Sequence, residues 1–104
     1  MRKVIEEKMY NTATATAVHQ WDNGRYSSDF RYYCETLYRT PAGSFFLYCE
    51  GGPSSCMSVP VGNNGRGGSE DIVPLQEIDT ISWLEQKNAV DTLLKLFPDH
   101  VVVA

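Results

Sequence analysis

Two runs rich in aromatic and β-branched residues, Phe30–Arg39 and Ser44–Glu50, flank the tetrapeptide Thr40-Pro41-Ala42-Gly43. No other stretch constrains the fold as tightly. Proline presets φ for a turn and glycine accepts a left-handed backbone, so the two runs are expected to pair as an antiparallel hairpin. A four-residue loop sets Arg39 opposite Ser44. Phe30, Tyr32, Cys34, Thr36 and Tyr38 then share one face with Phe45, Leu47 and Cys49, and that face is almost wholly apolar. A three-residue loop mixes Glu50 into it, so burial of a single face favours the longer loop. In that register Cys34 stands opposite Cys49, and Leu37 points away from Leu47.

The segments around this hairpin supply the rest of a small domain. Val4–Tyr10 reads as an opening strand or short hairpin. Thr12–Val18 alternates with period two, but alanine at every second position behind Asn11-Thr12 favours a short helix. Asp22-Asn23-Gly24, extended by Ser27-Ser28-Asp29, breaks the chain. Beyond Glu50 come two glycine-rich connections, 51–55 and 61–69, with short strand pieces at Met57–Val61 and Ile72–Leu75. Pro60 and Pro74 assign those pieces to sheet edges. Ile78, Ile81 and Leu84 recur with Trp83 alongside, predicting an amphipathic helix over Glu77–Gln86. Asn88 is the expected cap of a second helix, with Val90, Leu93, Leu94 and Phe97 as its buried stripe and Pro98 as its stop. The tail Val101-Val102-Val103 either packs locally or frays, or it adds to a sheet edge or another copy.

The expected fold is α+β: a small antiparallel sheet built around a central hairpin, with C-terminal helices packed on one side, in one domain over residues 1–104. At 104 residues a second core has no room. Aromatic residues at 12% are ample for a folded chain. The longest apolar runs fall far short of a bilayer span, and the acidic Glu6-Glu7 follows Val4-Ile5 before any signal-like stretch develops. Cys34, Cys49 and Cys56, odd in number and without a C-x-x-C pair, are expected as free thiols of a soluble cytoplasmic protein.

Charge is distributed unevenly. Residues 1–66 carry seven Lys/Arg against six acids, net +1, whereas residues 67–104 carry two lysines against seven acids, net −5. The ordinary account is a solvated helical surface. The sharper one is an anionic face, built from Glu70, Asp71, Glu77, Asp79 and Glu85, that competes for a basic groove made to receive phosphate. An aromatic hairpin surface including Tyr33 and Phe46 is the equal alternative for a protein contact. Direct nucleic-acid binding is not expected from an overall charge of −4. No G-x-S-x-G, H-E-x-x-H or phosphate-loop pattern occurs, His19 and His100 are far apart, and Glu35 and Glu50 are explained as strand ends. The sequence thus predicts no catalysis, no metal and no cofactor.

The order Lys8-Met9-Tyr10-Asn11-Thr12, then Glu35-Thr36-Leu37-Tyr38, Gly43, Phe46-Leu47-Tyr48, Glu50-Gly51-Gly52 and Val73-Pro74-Leu75 ahead of Trp83 resembles a family of small proteins. These are carried by phages and conjugative elements of Gram-positive bacteria, some associated with anti-CRISPR activity. The Thr-Ala repeats after Asn11 and the valine tail depart from that pattern. The resemblance implies a cytoplasmic inhibitor that binds a CRISPR effector complex and blocks nucleic-acid binding or cleavage. Its alternative is a mobile-element accessory or host-takeover protein bound to another host protein, with a homodimer as a further partner.

Overall fold

A three-residue turn, not a four-residue one, joins the two central strands. In the computed structural model, β4 (Tyr33–Arg39) pairs with β5 (Phe45–Gly51) so that Arg39 faces Phe45, Leu37 faces Leu47, and Cys34 faces Glu50. Gly43 decides this. Its φ of +89° supplies the left-handed residue that follows a tight turn, while its N–H bonds the Thr40 carbonyl at 2.9 Å and Thr40 N–H bonds the Ser44 carbonyl at 2.8 Å. The four-residue register is therefore overturned: Cys34 and Cys49 lie on opposite faces, and Leu37 and Leu47 share one. The structure describes residues 1–26, 28–57, 59–62 and 65–104. Ser27, Ser58, Asn63 and Asn64, placed by sequence in the break, the strand piece and the connection above, lie outside the described residues.

The central sheet is antiparallel, in the order β3 (Thr16–Asp22), β4, β5, β8 (Ser69–Leu75). A hairpin of β1 (Arg2–Ile5) and β2 (Lys8–Asn11) lies on one face; α1 (Glu77–Gln86) and α2 (Val90–Leu96) cover the other. A small ribbon, β6 (Val59–Val61) with β7 (Gly65–Gly67), leads into β8. This is an α+β fold with the helices at the C-terminal end, as the sequence indicates.

The expectation of a one-sided core fails because the sheet is covered on both faces. Leu37, Phe45, Leu47 and Cys49 meet Trp83, Leu84, Leu93 and Phe97 from the helices. On the other face Phe46, 0% exposed, stacks at 5.2 Å on Tyr38 and meets the edge of Tyr10 at 5.6 Å. Every side chain of β5 from Phe45 to Leu47 is consequently buried.

Three local expectations need physical correction. Thr12–Val18 is not helical: Asn11 closes a single turn, with its Oδ1 accepting the Ala13 N–H at 2.9 Å, and the chain then enters β3. Pairing with β4 outweighs alanine's helical preference. A bulge at Val18 lets both Val18 and His19 reach the helix side, where His19 meets Trp83 at 5.8 Å. Asn88 does not cap α2. At φ +53° it ends α1, with its N–H on the Glu85 carbonyl and the Ala89 N–H on that of Leu84, a reciprocal pair that satisfies the helix's last carbonyls. Leu93 and Phe97 are buried as expected, but Val90 and Leu94 are exposed.

Two tests follow from this packing. Leu37→Asp and Leu47→Asp place a carboxylate in the same core, so each should cost about 4 kcal/mol or more and abolish the thermal transition followed by circular dichroism. Loss in the Leu47 variant alone would refute the shared face. Replacing Cys34 and Cys49 together by alanine should leave a folded protein whose melting temperature is the same with and without reductant, since the two thiols face opposite ways.

Candidate functional site

Glu50 and Glu70 are directly opposed in the β5–β8 register. Their side chains emerge on the sheet face away from the helices, next to Tyr48, whose hydroxyl donates to Glu70 and lies 3.3 Å from Glu50 Oε2. Like charges set opposite one another across strands repel, and the Tyr48 hydroxyl bridges the two carboxylates. Beside the pair, Tyr32, Gly51, Gly52, Gly68 and Ser69 shape an open recess of about 400 Å³. Gly68 is required there, because a Cβ would come within 2.3 Å of the Gly51 carbonyl oxygen. Two carboxylates and a phenol make a surface suited to guanidinium or ammonium groups, with fork geometry favouring arginine.

A second acidic cluster forms at the other end of β8. Glu6 and Glu7 occupy the two-residue turn between β1 and β2, both with left-handed backbones at φ 51° and 67°. Such turns ordinarily take Asn or Gly, so two glutamates here carry strain on the order of 1 kcal/mol each. Glu6 and Glu77 line one cleft of about 540 Å³ with Lys8, Ser44 and Gln76. At about 3.3 Å per residue, the two clusters stand roughly 20 Å apart along β8.

The five acids singled out in the sequence do not form one patch. Glu70 joins Glu50. Asp71 is held by Lys3 at 2.7 Å; that bond, with the Ile72 N–H, keeps its carboxyl below the usual range. Glu77 joins Glu6 and lies 3.5 Å from His100. Asp79 accepts the Gln76 N–H at the start of α1, and Glu85 projects from that helix's last turn, about 12 Å along the axis from Glu77. Sequence reasoning missed Glu6, Glu7 and the pairing of Glu50 with Glu70, because only the β1–β2 turn and the β5–β8 register bring them to this flank.

The aromatic alternative is placed differently again. Phe46 is a core residue, wholly covered by Tyr38 and Tyr10, so it presents no contact surface. Tyr33 is half-buried on the helix side against Trp21. Nearby Glu35 accepts from Trp83 Nε1 at 3.3 Å and pairs with Lys87 at 3.2 Å, while the Lys87 ammonium sits 3.7 Å from the Trp21 ring centre. That clasp ties the end of α1 to the sheet and turns Glu35 away from Glu50.

No protein-family model, curated protein or solved structure matches the chain. Among the described residues no helix is long and apolar enough to cross a membrane, and no three His, Cys, Asp or Glu side chains gather to hold a metal ion.

Three tyrosines titrate high. Burial, then the bond to Glu70 and the charge of Glu50, raises Tyr48; burial, then Cys49 and Glu35, raises Tyr33. The hydrogen bond with Cys34, ahead of burial, pushes Tyr32 up to about 12. Folding thus favours the neutral phenols. Their contribution is whole below the unfolded value of 10.0 and is lost as pH rises through the folded values. Burial likewise raises the Cys49 thiol from its ordinary 9.0, so stability measured by urea melts should fall as pH rises above 9.0, and Tyr48→Phe should make the fall above pH 10.0 shallower.

Proposed function

We propose that this protein is a non-catalytic inhibitor that binds a CRISPR effector complex in the bacterial cytoplasm, at a basic surface that otherwise receives nucleic acid. The observation that carries this reading is the opposition of Glu50 and Glu70 across β5 and β8. Carboxylates opposed across strands repel, and arginines or lysines of a phosphate-binding groove would neutralise both. Glu6 and Glu77 extend the same anionic flank by roughly 20 Å. Paired strands hold Glu50 and Glu70 in register, so little backbone ordering accompanies docking there. Association driven by such charges is fast and salt-sensitive, and it blocks phosphate by competing for the same cations.

The reading is tested by measuring effector binding at low and moderate salt for two variants. Glu50→Gln with Glu70→Gln should weaken binding at least tenfold, flatten its salt dependence and leave the melting temperature unchanged or slightly raised. Glu77→Gln, Asp79→Asn, Glu85→Gln should do less, because those acids are dispersed. Unchanged affinity and salt slope in both variants would remove the charge competition. Failure of the wild-type chain to bind any effector complex would instead favour the mobile-element accessory role with another host partner.

A further inference from the structure

Away from the acidic flank, the opposite edge of the sheet carries a groove of about 600 Å³ between β3 and α2. Val18, pushed inward by the bulge, lines it with Thr92, Leu96 and Pro41, as do Lys95 and Arg39, whose guanidinium lies 5.5 Å from the Phe45 ring centre. Among the described residues neither cation is in ion-pair contact with a carboxylate, including Asp91 in the same lining. β3 is an edge strand that contains neither lysine nor proline, its interruptions being the bulge at Val18 and Asp22 at its end, whereas the other edge, β8, contains Pro74 and two acids. A strand-forming segment that pairs with no strand among the described residues is present in the same molecule. Val102 and Val103 are 85% and 95% exposed, Val101 already has an extended backbone, and Asp99 precedes them.

We infer that Val101–Val103 of one copy docks as an added strand in the β3–α2 groove of a second copy. Main-chain bonds along β3 would give the segment its register, the valines would cover Val18 and Leu96, and Asp99 would meet Arg39 and Lys95. The tail leaves beside Glu77 at the β8 side of the sheet, while the groove lies at the β3 side. Tail and groove are thus separate surfaces, so each copy can give a tail and accept one, in a reciprocal closed pair or from copy to copy in a chain.

Sedimentation equilibrium on the full chain, up to about 0.5 mM, tests this. The wild-type weight-average mass should rise with concentration. A tail variant (Val102→Asp, Val103→Asp) and a groove variant (Arg39→Glu, Lys95→Glu) should each remain monomeric, with circular dichroism confirming the fold. Mixed one to one, they should form pairs that grow no further, because one supplies the intact groove and the other the intact tail. Adding Asp99→Lys to the groove variant should restore self-association. If the groove variant loses its fold, Thr92→Arg serves in its place to fill the groove. A monomeric wild type throughout the range overturns the proposal, as does association of the groove variant at wild-type strength, which would mean that tails pair with tails.

Discussion

The left-handed backbone of Gly43 is the constraint on which the rest of the structure depends. By closing the central hairpin in three residues, it sets Leu37 against Leu47 and Tyr38 against Phe46. Every later contact inherits that register. The helices find Leu37, Phe45, Leu47 and Cys49 on one face, and the β1–β2 hairpin finds Phe46 on the other. A shift of one residue would exchange the faces of a whole strand. Cys34 would then change sides relative to Cys49, and the polar bonds that now finish each face would lose their geometry.

Attachment of the helices uses polar chemistry as well as burial. Thr80, fully buried, satisfies its hydroxyl on the Gln76 carbonyl at 2.9 Å, so the first turn of α1 meets the core without an orphan group. At the far end, Lys87 lies between the Glu35 carboxylate and the Trp21 ring, while Asn88 turns the chain and brings Ala89 back beside Leu84. These groups join the end of α1 to the sheet and turn the chain into α2. That placement also opens the β3–α2 groove, since α2 begins only after the Asn88 reversal.

The two edges of the sheet differ in physical character. Along β8 the charges are mainly acidic, with Lys3 neutralising Asp71 between the Glu50–Glu70 pair and the Glu6–Glu77 cleft. Along β3 the groove is apolar with two cations in its lining. A protein organised this way can present a competitor for basic surfaces at one side while the other remains open to a strand. The proposed inhibition and the proposed self-association therefore draw on separate surfaces and need not interfere.

Much of the local structure was legible in the residues themselves. The bounds of α1 followed from the spacing of Ile78, Ile81 and Leu84, although Ile78 is exposed and Thr80 joins Trp83 and Leu84 on the buried face, and the location of the central turn followed from Pro41 and Gly43, because both signals are local. The strand in Thr16–Asp22 was not legible, since alanines favour helix until β4 offers a partner. Nor was the hairpin register, because the argument for one apolar face assumed that only one face is buried. The excess of acid after Arg66 was legible, but which carboxylates share a surface was not, since Glu6, Glu7 and Glu50 precede it. Glu50 opposes Glu70, and Glu6 and Glu77 line one cleft, across long sequence separations. Charge totals and helix periods are properties of neighbouring residues and are determined by the sequence alone, whereas strand register and the company each side chain keeps are decided only when distant segments pair.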